Sequence, residues 1–222
     1  MAKAPEPGQV KTRLARELGE AAAATLATRM LHHTLETARR TAAGMVELCV
    51  TPDIHHPVLN DAAHRFDACL TAQGEGDLGQ RMARIARRVL AAGEWPILIG
   101  TDCPALTPTH LQQAIASLET ADSAFLPATD GGYVLIGLRR FDRRLFEGIA
   151  WGTDAVMQQT RSRLMELGWT WWEGETLHDI DTTDDLVHLP EGWIDRRFPA
   201  GCDSHAPDTL CSHHGKTSCE TK

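Results

Sequence analysis

The chain has 222 residues, the length of one large domain or at most two small ones, and with 42% hydrophobic and 23% charged residues it is neither disordered throughout nor fibrous. Its 22 basic and 30 acidic residues give a net charge of −8, so nucleic acid and anionic membranes are not expected partners. No apolar run approaches the ~20 residues that cross a bilayer, and the N-terminus lacks the composition of an export signal. A cytoplasmic protein with reduced cysteines is therefore expected.

Helical and strand-like periodicities alternate along most of the chain. In chain order they predict a helix over 15–41, strands over 45–50 and 68–71, a helix over 78–90, a strand over 96–99, a helix from 107, strands over 124–127 and 133–138, a helix over 153–167 and an edge strand over 169–172. Thr107 and Pro108 supply a helix start, and Gly168 supplies a helix end. The order predicts an α/β protein with a largely parallel sheet flanked by helices.

From about residue 190 the periodicity fades. We expect a domain over 1–189 and a poorly ordered tail over 190–222. Three cysteines and three histidines of the tail could bind Zn²⁺, but their spacing lacks a paired CxxC, and histidine in a flexible tail is the alternative. These residues are Cys202, His205, Cys211, His213, His214 and Cys219.

The opening segment, Lys3 to Leu14, combines prolines, a glycine and cations directly before a helix. Backbone N–H groups and cationic side chains in such a loop can bind a polyphosphate at a helix N-terminus. The candidate nucleotide-binding residues of this loop are Lys3, Pro5, Gly8, Lys11 and Arg13. The alternative is a solvated basic segment in front of a helix.

Asp102 follows an apolar strand that ends abruptly in Gly-Thr-Asp. This places its carboxylate at the carboxyl end of a parallel strand, where ligands bind in open α/β sheets. A carboxylate there can hold Mg²⁺ together with substrate phosphates. The alternative is that Asp102 only caps a turn.

Two further carboxylates have the same character. Asp130 precedes two glycines that let a ligand approach the backbone closely, so the turn suits a substrate. Asp181 lies after a strand-like stretch in the group Asp179, Asp181, Asp184 and Asp185, and we retain it as a ligand. Asp184 and Asp185 are better explained by the dipole of the short helix that follows.

The segment from Gln73 to Met82 is a glycine-rich turn that leads into a helix. Its glycines permit an unusual backbone, and Arg81 could reach an anion. We therefore add Gln73, Gly79 and Arg81 to the candidate nucleotide-binding residues, on a motif that is weak alone.

Six motifs in order resemble one bacterial family. They are KAPEPGQVKTRL, GDLGQRM, IGTDCPALT, LPATDGGYVLIGL, IAWGTDAVMQQT and DIDTTDDL, and they span about residues 1–189. The chain resembles the GT-A-type glycosyltransferases labelled radical-SAM/selenodomain-associated transferase 1, or domain of unknown function 2064. The resemblance implies a nucleotide-diphospho-sugar transferase-like fold with a Rossmann-like mixed sheet. More distantly, the chain looks like guanylyltransferases of molybdenum-cofactor and phospholactate metabolism.

The resemblance also implies residue roles. Lys11 and Arg13 would bind nucleotide phosphates, while Asp102 and Asp181 would hold Mg²⁺ or Mn²⁺. The metal would neutralise the diphosphate leaving group, and Lys11 is counted with Asp130 among the catalytic residues.

The turn of Asp130, Gly131 and Gly132 would face the acceptor or the sugar, according to the same resemblance. Asp130 would position or deprotonate the acceptor. The expected partners are a nucleotide-sugar donor and a small-molecule acceptor.

One departure from the family concerns the first strand. Family members have an apolar strand that runs directly into the KAPEPG loop, whereas this chain begins Met1-Ala2-Lys3. Without that strand, neighbouring strands would expose unpaired backbone groups. Our hypothesis is a start codon assigned too late or a truncated chain, which in-frame apolar codons upstream would support and a stop codon just before Met1 would contradict.

The sequence leaves three functions open. The first is glycosyl transfer from a nucleotide-diphosphate sugar with metal dependence. The second is nucleotidyl transfer from an NTP with release of pyrophosphate, and the third is a degenerate, non-catalytic nucleotide-binding protein.

Overall fold

A computed structural model describes residues 1–193, in which helices and strands alternate as predicted. The strands in this range are β1 (Ala2–Lys3), β2 (Glu47–Thr51), β3 (Cys69–Ala72), β4 (Ile97–Ile99), β5 (Ser123–Pro127), β6 (Tyr133–Leu138) and β7 (Trp171–Glu173). The α-helices are α1 (Thr12–Leu18), α2 (Glu20–Thr41), α3 (Pro57–Arg65), α4 (Leu78–Ala91), α5 (Pro108–Ser117) and α6 (Val156–Leu167). Short 3₁₀ helices cover Arg143–Phe146 and Asp184–His188.

The strands form two sheets that meet at the N-terminus. The first has the order β1-β2-β3 with parallel pairing, and the second has the order β4-β6-β5-β7. In the second sheet β7 is parallel to β5, whereas β6 is antiparallel to both β4 and β5. The α/β class and the mostly parallel pairing are confirmed, with β6 as the antiparallel exception. β4 is thus paired with an antiparallel strand, contrary to the parallel pairing we expected before Asp102.

The chain enters the sheet through β1. Ala2 lies beside Val50 in parallel register, and the Met1 amino group donates a hydrogen bond of 2.7 Å to the carbonyl oxygen of Ile99. We expected no strand before the opening loop, but two residues pair with β2 and lead into it. Ala2 and Lys3 of β1 thus lie between the two sheets, paired with β2 on one side and adjoining β4 through Met1 on the other.

Helix boundaries follow local signals. The helix predicted over 15–41 is divided, because Gly19 adopts a φ of 84° between α1 and α2. The predicted start of α5 is confirmed, since the Thr107 side chain accepts the His110 N–H and Pro108 is the first helical residue. Gly168 ends α6 in the left-handed conformation at a φ of 65°.

The second sheet is covered on both faces. All five residues of β5 are buried. Leu111 and Leu118 of the α5 region pack with Leu126 on one face, while Met82 of α4 and Leu164 of α6 pack with the opposite face. Such a buried sheet is a rigid base for side chains at its edges.

The described part of the predicted tail packs against α2. Arg29 donates to the carbonyl oxygens of Gly192 and Trp193, and its guanidinium lies 4.9 Å from the Trp193 ring. Residues 194–222, with the tail cysteines and histidines, lie outside the described residues. Among the helices of residues 1–193, none combines the length and the hydropathy of a membrane-spanning segment.

Candidate functional site

One edge of the second sheet gathers acidic side chains. β4, β5 and β7 end at this edge and β6 begins there, as their pairing directions require. Asp102 follows β4, Asp130 follows β5, and Asp179 and Asp181 follow β7. These four carboxylates line one cavity of about 450 Å³.

The cavity brings together seven of the thirteen candidate residues from the sequence. Those that line it are Lys3, Pro5, Lys11, Asp102, Asp130, Gly132 and Asp181. Those that do not are Gly8, Arg13, Gln73, Gly79, Arg81 and Gly131.

Lys11 is the central cation of this cavity. Its ammonium nitrogen lies 3.2 Å from Asp102 Oδ2 and 3.6 Å from Asp181 Oδ1, although its side chain is only 10% exposed. Lys11 precedes α1 in the left-handed conformation, which turns the chain from the loop into the helix. Arg13, at the rim of the cavity, donates a hydrogen bond of 2.7 Å to Asp181 Oδ2. The oxygens of two carboxylates therefore converge on one cation.

The rest of the opening loop is held by its own contacts. Lys3 donates to the carbonyl oxygen of Gln9 at 2.6 Å, which closes the loop on itself. Gly8 packs against the carboxylate of Glu20, away from the cavity. Gly8 therefore shapes the loop without lining the site.

The Asp130 turn is fixed on the first turn of α6 and the segment just before it. Asp130 Oδ1 accepts the Gly132 N–H at 2.8 Å, and the Gly131 carbonyl accepts the Met157 N–H at 2.8 Å. Gly131 has a φ of 88°, and a Cβ atom there would lie 2.1 Å from the Asp154 carbonyl oxygen. A glycine is therefore required at this position, and one oxygen of Asp130 is already used by the turn.

Asp179 is a site residue to which the sequence analysis gave no role. Its half-buried side chain lines the cavity, and burial, with the charges of Asp130 and Asp102 adding to it, raises the pKa of Asp179 to about 6. The available sequence signal was the alternation of side chains in this segment: Ile180 is buried in a core cluster, and its neighbours Asp179 and Asp181 both line the cavity.

Asp185 makes hydrogen bonds to nearby backbone, whereas the sequence suggested a role with the dipole of the short helix. Its Oδ2 accepts hydrogen bonds from the Asp181 N–H at 3.0 Å, the Thr182 N–H at 2.7 Å and the Thr182 hydroxyl at 2.8 Å. Asp185 thus holds the backbone that carries Asp181.

The glycine-rich turn contributes less to the cavity than we expected. Gln73 is buried, and its amide donates to the carbonyl oxygens of Ala2 and Cys49, which ties β1 to β2. Arg84 instead shapes the turn, since it donates to the Gln73 and Glu75 carbonyl oxygens. Tertiary contacts with distant backbone decide this arrangement.

Aromatic and aliphatic side chains form another part of the lining that the sequence analysis did not assign. We call Leu78, Met82, Tyr133 and Trp151 the apolar wall. The Tyr133 and Trp151 rings are edge to face, with centroids 6.3 Å apart. Gly79 allows this packing, because a Cβ atom there would lie 2.5 Å from Trp151 Nε1.

Known proteins establish the family of this chain. A family model described as an uncharacterised protein conserved in bacteria, DUF2064, matches residues 34–153. The chain belongs to this family. No functionally curated protein matches it in sequence.

Solved structures share its fold. A crystal structure from Desulfovibrio desulfuricans G20, provisionally assigned as a nucleotide-diphospho-sugar transferase, is 31% identical over 83% of this chain and 81% of that chain, with a TM-score of 0.75. The 4-diphosphocytidyl-2C-methyl-D-erythritol synthase of Anaerococcus prevotii DSM 20548 has 11% identity over 84% of this chain and 93% of that chain, with a TM-score of 0.52. The second similarity concerns the fold alone.

Proposed function

We propose that this protein is a transferase with a nucleotide-linked donor, and that it moves a sugar from a nucleotide-diphosphate sugar to a small acceptor. The observation that carries the proposal is the Lys11 ammonium held between Asp102 and Asp181 at the carboxyl ends of the strands. The relative from Desulfovibrio desulfuricans, provisionally assigned to the same class of transferase, supports it.

The cationic side of the cavity would bind the diphosphate. Lys11 and Lys3 line this side, and Arg13 reaches it from the rim. Charge-assisted hydrogen bonds from such cations to phosphate oxygens are the strong class of hydrogen bond. Lys11 would exchange its carboxylate partners for phosphate oxygens when the donor binds.

The carboxylates fit a divalent cation. Within residues 1–193 no three His, Cys, Asp or Glu side chains are arranged as a complete metal cage. However, Mg²⁺ is commonly held by one or two carboxylates plus substrate phosphates, and oxygens of Asp102 and Asp181 already converge on one ammonium. A bound Mg²⁺ or Mn²⁺ would neutralise the charge of the leaving diphosphate.

Asp130 would act on the acceptor. Oδ1 is fixed by the Gly132 N–H, which leaves Oδ2 to accept the hydroxyl proton of the acceptor. The bond from the anomeric carbon to phosphate breaks and a bond to the acceptor oxygen forms. The acceptor proton passes to Asp130, and the nucleoside diphosphate leaves.

A thermal-shift titration tests the proposal. UDP-sugars and GDP-sugars are compared with NTPs, each with and without Mn²⁺, because a ligand stabilises the folded state in proportion to ln(1 + [L]/Kd). We expect stabilisation by a nucleotide sugar that Mn²⁺ strengthens, followed by product formation with a panel of acceptors. Stabilisation by NTPs alone would favour nucleotidyl transfer, and no stabilisation by any nucleotide would favour a non-catalytic protein.

Asp102→Ala isolates the metal assignment. We expect this variant to lose the Mn²⁺-dependent part of the shift, because one of the two converging carboxylates is gone. Asp61→Ala, which removes an exposed carboxylate of α3, is the matched control and should behave as wild type. An unchanged Mn²⁺ effect in Asp102→Ala would contradict the metal site.

A further inference from the structure

The apolar wall has no role in binding a diphosphate. Its side chains present mainly carbon surface to the cavity. Leu78, the first residue of α4, is 45% exposed although it is a large aliphatic residue. Exposed apolar side chains inside a cavity that also holds converging polar groups are typical of a ligand site.

The wall lies next to the group proposed to act on the acceptor. Tyr133 directly follows the Asp130 turn, and Trp151 packs edge to face on Tyr133. Lys3 and Lys11, in contrast, belong to the opening loop. A ligand on the wall would therefore adjoin Asp130, while the cationic loop remains available to the donor.

Packing fixes the wall before any ligand binds. The Trp151 indole lies directly over Gly79, and the Tyr133 ring is also edge to face with Phe125 at 5.5 Å between centroids. Met82 is buried in the core cluster beneath. A rigid apolar surface loses little conformational entropy on binding, which favours flat, apolar ligands.

We propose that the apolar wall selects the acceptor, and that this acceptor is an alcohol or phenol with an aromatic or similarly flat apolar group beside its reacting hydroxyl. The inference rests on the proposed function. A nucleobase is the other flat candidate, but its recognition depends on polar groups along its edge, whereas the wall offers mainly carbon surface.

Ligand-observed NMR and calorimetry on the nucleotide-free protein test the inference, with 4-hydroxybenzyl alcohol as the aromatic probe and glycerol as the non-aromatic one. We expect binding of the aromatic alcohol only. Trp151→Ala should weaken it by about 2- to 10-fold, the range that aromatic contacts contribute, and Leu78→Ser should weaken it by a similar factor because apolar contact area is lost. Trp95→Ala and Val187→Ser, which change exposed residues outside the cavity, are matched controls and should leave it unchanged.

The possible outcomes are distinct. Equal binding of glycerol, no binding of the aromatic alcohol, or binding that neither wall variant weakens would overturn the inference. Weaker binding of uridine or guanosine in the wall variants, with unchanged binding of the aromatic alcohol, would assign the wall to the nucleobase. If Trp151→Ala fails to fold, Leu78→Ser decides, because its side chain is exposed.

The same experiments separate this inference from the proposed function. If the wall variants weaken binding of the aromatic alcohol but no nucleotide stabilises the protein, the apolar wall remains a binding site for the alcohol and the proposed transferase function is wrong. If a nucleotide sugar binds but the wall variants do not weaken binding of the aromatic alcohol, the proposed function stands and the proposed class of acceptor is wrong.

Discussion

The two ends of β5 hold aspartates in opposite surroundings. At the amino end, Asp122 accepts hydrogen bonds from the backbone and hydroxyl groups of Thr170 and lies 3.6 Å from both Arg139 and Arg140. Burial opposes ionisation of Asp122, but these hydrogen bonds and arginines hold its pKa below the usual range. This carboxylate fastens β5 to the start of β7.

At the carboxyl end, carboxylates face one another across a cavity. Burial and the charges of Asp130 and Asp102 raise the pKa of Asp179, so its ionised form is disfavoured in the folded protein. The same residue type thus stabilises one end of the sheet and carries unfavourable charge at the other. Crowded charge of this kind is typical of functional sites, where a bound ligand can offset it.

Gly131→Ala is the largest expected disruption of the carboxyl end. The new Cβ atom would meet the Asp154 carbonyl oxygen at 2.1 Å, and the φ of 88° adds backbone strain, so we expect a loss of roughly 2–4 kcal/mol in the free energy of unfolding. Urea denaturation measures it. Gly152→Ala is the control, because Gly152 has a φ of 80° with no atom within 4 Å of a Cβ, and it should cost only about 1 kcal/mol. Equal losses of stability in the two variants would show that the close approach of Gly131 to the Asp154 carbonyl oxygen is unimportant.

Lys11→Met should affect ligand binding more than folding. Loss of the ammonium removes a charged donor to the diphosphate, which we expect to weaken UDP or GDP binding in Mn²⁺ by roughly 10- to 100-fold. Calorimetry provides the measurement. Arg16→Met, on the exposed side of α1, removes a cation outside the cavity and should leave the affinity unchanged. Wild-type affinity in Lys11→Met would contradict the proposed phosphate contact.

Asp122→Ala should have the reverse profile, with lower stability and unchanged nucleotide binding. Two hydrogen bonds from Thr170 and two nearby arginines lose their partner, so we expect a loss of about 1–3 kcal/mol at pH 7. Since the folded-state pKa of Asp122 is depressed, its contribution is present at neutral pH and declines as pH falls through that pKa. The difference in the free energy of unfolding between wild type and variant, measured by urea denaturation, should therefore shrink at low pH. A difference that does not change with pH would show that the ionised form of Asp122 is not what stabilises the protein.

Local signals predicted much of this fold. The helix start at Thr107 and Pro108, the glycine that ends α6 and the strand over 133–138 are encoded within a few neighbouring residues, and the structure confirms them. The contact between Lys11 and Asp102 joins positions 91 residues apart, and the sequence analysis had assigned the two residues to the site separately, Lys11 to phosphate and Asp102 to a metal.

What sequence reasoning missed depends on contacts between distant segments. The antiparallel pairing of β4 with β6 requires knowledge of the sheet order. Gln73 resembled a ligand-binding residue, but its amide is used by the backbone of two other strands. Trp151 belongs to a motif whose position over Gly79 only the folded chain reveals.

Asp179→Asn has the smallest expected effect. It tests whether negative charge at the carboxyl end of β5 destabilises the folded protein. Because folding raises the pKa of Asp179 from 3.8 to about 6, ionisation costs stability as pH rises through this interval. The asparagine variant avoids that cost, so in EDTA its Tm should exceed that of wild type at pH 8 by roughly 2–4 °C and match it near pH 4. Asp61→Asn, at an exposed position, should show no such trend. A lower Tm for Asp179→Asn at pH 8 would mean that Asp179 stabilises the fold as Asp122 does, and the contrast between the two ends of β5 would be lost.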